Sequence, residues 1–196
     1  PEHTIFVRAG TYSEQVTINK SLTLIGIMRS TVINGTGNVV TITANQVTFR
    51  GFTIQGSGST DKGILVDHAN NVFISGNTIT KKGYGIWLNY SYSCSISGNT
   101  INNNTETGIC LYYSDSAIIS RNILTNNSYG IYLMFSTGND IRRNNVTYNN
   151  DTGIYLFWSN NNKIYHNNFI NNANQKYLQY SSNNTWNDSA GKGNYW

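Results

Sequence analysis

A unit of 22 to 23 residues that returns five times between positions 63 and 169 limits what this chain can become more than any other feature. The copies read GILVDHANNVFISGNTI, GIWLNYSYSCSISGNTI, GICLYYSDSAIISRNIL, GIYLMFSTGNDIRRNNV and GIYLFWSNNNKIYHNNF, and they begin at Gly63, Gly85, Gly108, Gly130 and Gly153. Asn77, Asn99, Asn122, Asn144 and Asn167 keep the same step, so the period is near 22.5. A fixed period of this size marks a stacked repeat architecture, in which no single unit buries its own apolar side.

Within each copy the apolar residues alternate with period two, the pattern of a strand with one face in a core. Ile64/Val66, Ile86/Leu88, Ile109/Leu111, Ile131/Leu133 and Ile154/Leu156 form one inward set. Val72/Ile74, Cys94/Ile96, Ala117/Ile119, Asn139/Ile141 and Asn162/Ile164 form a second, and Ile79, Ile101, Leu124, Val146 and Phe169 a third. Three short strands per period leave no room for a helix, so the pattern predicts an all-β, right-handed parallel β-helix of about eight coils. At about 4.8 Å per coil the rod is roughly 40 Å long. The register predicts one domain over 1–196, with less regular coils over 1–62, regular repeats over 63–172, and a final coil and cap over 173–196. Trp186, Tyr195 and Trp196 are expected to cover the end of the stack. Recurrent Gly fits a turn conformation closed to other residues or a tight corner, and recurrent Asn fits a ladder of side-chain hydrogen bonds from coil to coil.

Composition narrows the functional classes. Asn supplies 32 of 196 residues and charged residues only 11%, yet 38% hydrophobic content gives the chain a core to bury. A net charge of +4 is too weak a field to point to nucleic acid, and no apolar run approaches the roughly 20 residues of a membrane span.

The opening TIFVRAGTYSEQVTINKSLTLIG (4–26), the Gly-Ile-x-Leu and Asn-x-Ile units, and the ending NTWNDSAGKGNYW (184–196) together resemble the pectin-lyase-like superfamily. Within it they are similar to the NosD-like, carbohydrate-binding and sugar-hydrolysis group, including repeat regions of archaeal or bacterial surface proteins. The resemblance covers essentially the whole chain. It implies an extracellular or cell-surface setting, with the periplasm as the alternative, and a carbohydrate-related role, without assigning a reaction.

Glycan cleavage needs converging acids and bases. Asp67, Asp115 and Asp140 fall in different columns, and no two of the nine acids occupy one column on adjacent regular coils. A basic group, Arg121, Arg142, Arg143, Lys163 and His166, is the candidate for binding an acidic sugar, sulfate or phosphate, with solvated surface charge as the plain reading. Arg121, Arg143 and His166 share one column.

The aromatics carry the stronger signal. Trp87, Tyr132 and Tyr155, with Cys110, take the outward slot of Gly-Ile-x-Leu, and Tyr90, Tyr113, Phe135 and Trp158 run beside them, after His68. Three readings are open: a platform for sugar rings, a face for another subunit or domain, and coil-to-coil stacking. The expectation is a noncatalytic scaffold or adhesion module that binds polysaccharide or another envelope component. The alternative is a polysaccharide lyase, epimerase or glycoside hydrolase. No cofactor or metal site is expected: His3, His68 and His166 are dispersed, Cys94 is read as a packed thiol and Cys110 as a free surface thiol. Nine Asn-x-Ser/Thr sequons, from Asn19 to Asn187, agree with an exterior location.

Overall fold

One coil's Ile, Leu and Val side chains gain burial only when the next coil covers them, and the chain is built around that requirement. The computed structural model describes residues 3–56 and 58–196. It is an all-β, right-handed parallel solenoid of about eight coils with a repeat of about 22 residues. Each coil gives one strand to each of three sheets, and each sheet holds eight strands in parallel register. The first sheet runs from Thr4–Phe6 to Lys163–Tyr165, and the second from Gly10–Tyr12 to Asn168–Ile170. The third runs from Val16–Ile18 to Asn174–Gln179. From Lys62–Asp67 onward its strands are six residues long, twice the length of their neighbours in the other sheets, so the third sheet is the broadest face of the rod.

The inward columns meet as the alternation requires. Ile64, Ile86, Ile109, Ile131 and Ile154 align in register, and all are fully buried. The Ile74–Ile96–Ile119–Ile141–Ile164 and Ile79–Ile101–Leu124–Val146–Phe169 columns do the same in the other sheets. Each such side chain contributes about 1.5–3 kcal/mol through burial.

Polar ladders fill the corners between sheets. The amides of Asn77, Asn99, Asn122, Asn144 and Asn167 each donate Nδ2–H to the Oδ1 of the asparagine one coil on, at 2.9–3.1 Å, ending at Asn194. Asn104, Asn127, Asn149 and Asn172 make a second ladder, and Asn139, Asn162 and Asn184 a third. Ser91, Ser114, Ser136 and Ser159 form a fourth, each hydroxyl oxygen accepting the backbone N–H of the preceding serine or of Ala69. The second asparagine ladder starts on Lys82, whose buried ammonium donates to the Gly35 carbonyl at 3.2 Å and lies 3.6 Å from Asp61.

The repeated glycines are explained by space. A Cβ on Gly108 would stand 2.7 Å from the Gly130 carbonyl oxygen and 2.7 Å from Leu124, and one on Gly130 would meet Val146 and the Gly153 carbonyl at 2.4 and 2.5 Å. Close packing of one strand on the next, rather than a left-handed turn, reserves these positions.

The end of the stack is covered by the tail. Lys176 takes the inward position above Ile154, and its ammonium sits over the rings of Trp186 and Trp196, at 4.7 and 4.9 Å. Trp196 stacks on Phe169 at 5.1 Å, and Trp186 packs against the core.

Candidate functional site

The outer side of the third sheet carries most of the surface aromatics, arranged in adjoining columns by the one-coil register. His68, Tyr90, Tyr113, Phe135, Trp158 and Tyr180 follow the strand ends on successive coils. All six adopt a left-handed backbone, with φ between 45° and 53°. At the turn that leads into the first sheet the left-handed positions are Asn71, Ser93, Ser116, Gly138, Asn161 and Asn183, small residues suited to the conformation. A bulky ring there costs about 1–2 kcal/mol of backbone strain, so six in succession need an offset. Stacking supplies part of it: Tyr90 lies on His68 at 5.2 Å, Tyr113 on Tyr90 at 5.0 Å, and Phe135 on Tyr113 at 4.7 Å, all within 13° of parallel.

This stacking decides what the column can offer a ligand. Rings piled along the rod cover one another's faces and present edges to solvent. Among the described residues no ring pairing joins Phe135 to Trp158, and stacking resumes between Trp158 and Tyr180 at 4.8 Å. Phe157 packs edge-on against Phe135 at that break, at 5.4 Å, and the rings beyond it are the more exposed: Trp158 is 49% exposed and Tyr180 62%.

The inner column contains Trp87, Cys110, Tyr132, Tyr155 and Tyr177 in register. Tyr132 and Tyr155 stack at 4.5 Å, and Tyr155 meets Tyr177 edge to face at 5.0 Å. Cys110 departs from the sequence expectation of a surface thiol: its slot faces outward, yet the residue is fully buried. The larger side chains of Trp87 and Tyr132 on the adjoining coils close over the small cysteine. Cys94 is buried as expected, and both cysteines are free.

A further row, one residue before each repeated glycine, adds Lys62, Tyr84, Thr107, Tyr129 and Thr152, and Asn174 continues it on the last coil. Tyr84 and Tyr129 recur at every second coil, and that spacing is visible in the sequence once the residue before the glycine is included in the repeat. Lys62 places its ammonium 5.6 Å from the Tyr84 ring centre and 5.2 Å from that of Trp87. Farther along the rod, Tyr129, Asp151, Thr152, Tyr155, Asn174 and Tyr177 line an open cleft of about 340 Å³. Burial, followed by Asp151, pushes the Tyr129 hydroxyl up to about 12.

The basic cluster divides over two surfaces. Arg121, Arg143 and His166 stand at a corner with left-handed backbones, while Arg142 and Lys163 lie on the outer side of the first sheet. Acids already engage two of the five: Arg142 is paired with Asp140, and His166 Nε2 lies 3.0 Å from Asp188 Oδ2. Tyr165 donates to the same Asp140 carboxylate at 3.4 Å, while the other Asp140 oxygen is buried without a partner among the described residues. The one-column view of the sequence placed Asp140 alone; parallel pairing sets Lys163 beside it and Arg142 beside Tyr165. A shallow cleft of about 400 Å³ adjoins them, lined by Lys163, Tyr165, Thr185, Asn187, Asp188 and Ser189.

The family described as periplasmic copper-binding protein (NosD) matches residues 2–196. Comparison with curated proteins yields no match. Among solved structures, the chain is similar to the Dettilon tailspike protein, at TM-score 0.64 and 19% identity over 97% of this chain and 50% of that one. It is also similar to the catalytic domain of a GH87 alpha-1,3-glucanase in complex with nigerose, at TM-score 0.69 and 14% identity over 90% and 40%. The Azotobacter vinelandii mannuronan C-5 epimerase AlgE6 A-module gives TM-score 0.52 and 12% identity over 91% and 70%. These likenesses are of fold, and the chain spans about half or less of the tailspike and glucanase chains.

Copper is implied by the family description, and the donor set does not fit it. Copper takes thiolate, thioether or imidazole ligands brought together at one point. Among the described residues no three of His, Cys, Asp and Glu converge. Burial pushes the Cys94 thiol up to about 11 and Cys110 higher still, so both remain protonated at neutral pH.

Proposed function

The chain belongs to the NosD family, and we propose that it is a glycan-binding solenoid working outside the cytoplasm, in the periplasm or at the cell surface. The observation that carries this reading is the aromatic face of the third sheet, where six rings on consecutive coils hold a backbone conformation costly to them. Sugar rings stack their C–H faces on exposed aromatic planes, and Trp158, Tyr177 and Tyr180 are the most exposed rings of this face. The similar solved structures support a glycan setting, since one is a glucanase domain holding nigerose and another a mannuronan epimerase module.

A panel of neutral, acidic and amino polysaccharides titrated against the intact protein and a Trp87→Ala, Trp158→Ala variant tests the reading. Binding by the intact protein that weakens at least tenfold in the variant supports it. No binding across the panel removes it.

A second reading, glycan turnover, rests on Asp140, Arg142 and Tyr165. They place a carboxylate, a guanidinium and a phenol on one face beside the shallow cleft, the groups that proton transfer next to an acidic sugar requires. Its test is product release from an acidic polysaccharide, with loss of release in Asp140→Asn and Tyr165→Phe.

A further inference from the structure

Lys62 shows how this surface treats an ammonium group: it is held against a tyrosine and a tryptophan on the next coil of the third sheet. Two coils above Tyr84, the same rows present a comparable ring cluster with no lysine. Tyr129 stands where Tyr84 stood, Tyr132 and Tyr155 follow in the Trp87 column, and Tyr177 closes the far side. The cleft they border contains Asp151, and its lining has no lysine, arginine or histidine.

We propose that the cleft formed by Tyr129, Tyr155, Tyr177 and Asp151 binds an organic ammonium group, supplied by a free-amine sugar residue of a polysaccharide. Choosing an amino sugar as the source rests on the glycan-binding function proposed above; the preference for a cation rests on the cleft itself. Tyr155 is covered by Tyr132 and Tyr177, so the half-exposed Tyr177 ring is the one that attracts a cation. The Asp151 carboxylate, which accepts a hydrogen bond from the Thr152 hydroxyl at 2.9 Å but has no cationic partner among the described residues, adds charge complementarity. The cleft's volume of about 340 Å³ suits one small residue rather than a buried chain. Tyr129 supports the same polarity, since Asp151 contributes to holding its phenol protonated. Tyr155 is oriented by donating its hydroxyl to Gln179 at 2.5 Å, which fixes the ring between Tyr132 and Tyr177.

The test compares a glucosamine tetrasaccharide, its fully N-acetylated form and tetramethylammonium, by calorimetry and tyrosine-ring NMR shifts, in weakly acidic buffer where the sugar amine is protonated. The free-amine tetrasaccharide is expected to bind at least tenfold more tightly than the acetylated form. Asp151→Asn should abolish that preference, and tetramethylammonium should compete at the same ring signals. Tyr177→Ala, at an exposed edge, serves as a second variant should Asp151→Asn fold poorly, and it should weaken all cation binding. Equal binding of both saccharides, or a preference that survives Asp151→Asn, overturns the ammonium inference and leaves glycan binding standing. Binding of tetramethylammonium without either saccharide overturns the amino-sugar assignment. Retained binding of neutral glycans elsewhere on the face would show that the broader function has not failed with it.

Discussion

Asn122→Ala removes the central rung of the longest asparagine ladder. Its Oδ1 accepts the backbone N–H of Asn99 at 3.0 Å and the Asn99 side-chain amide at 3.1 Å, and its Nδ2 donates to the Ile96 carbonyl at 2.9 Å and to Asn144 Oδ1 at 3.0 Å. Alanine leaves the two Asn99 donors without partners, in a position only 1% exposed, and removes a second donor from the Ile96 carbonyl, which stays in the parallel ladder. At about 1–3 kcal/mol for each of the two stranded groups, with partial relaxation, the expected loss is about 2–5 kcal/mol. Urea denaturation measures it, and amide hydrogen exchange at Asn99 shows whether the loss is local, as a solenoid stabilised by nearest-neighbour coils allows. Asn145→Ala is the control: it lies on the outer side of the second sheet, half-buried, and should change stability by no more than about 0.5 kcal/mol. A loss below about 1 kcal/mol at Asn122, or one equal to the control, would refute the claim that these amides hold the corners together.

Gly108→Ala should lower stability by about 1–3 kcal/mol, measured by thermal melting, because its methyl would press on the Gly130 carbonyl and Leu124; an unchanged midpoint would contradict the spacing argument. Thiol reagent should label no cysteine in the folded protein and two after denaturation, and rapid labelling of Cys110 would show that Trp87 and Tyr132 do not cover it. Tyr129 has a folded value of about 12, above the ordinary value near 10, so the stability it contributes is present below pH 10 and lost as pH rises from 10 to 12. Urea midpoints at pH 9 and 11 should therefore fall less in Tyr129→Phe than in the unaltered protein, and an equal fall would contradict the linkage.

The coil was readable because its cause is local and repeated. Ile and Leu at alternate positions, returned every 22 or 23 residues, leave one way for apolar columns to meet, and the alignment of Ile86, Ile109, Ile131 and Ile154 follows. The Asn77–Asn167 ladder was readable for the same reason. The Ser91–Ser159 ladder has an equally regular period but is easily passed over, because serine is at home in any turn. What periodicity does not convey is the size of neighbours on adjoining coils. Cys110 occupies an outward slot by count, and only the bulk of Trp87 and Tyr132 determines that it is buried. Nor does a column-by-column view show that Asp140, on one strand, meets Arg142 on that strand and Tyr165 on the next. The aromatic strip was legible as residues but not as geometry: rings from Tyr90 to Phe135 cover one another, and the most exposed rings lie farther along, at Trp158, Tyr177 and Tyr180.

Mapping the contacts of whichever oligosaccharide binds, by NMR shifts across the whole chain, tests the functional account most directly. The account predicts changes concentrated on Trp158, Tyr177, Tyr180 and the tyrosines around Asp151. Changes centred on Asp140, Arg142 and Tyr165, with the third sheet silent, would contradict it.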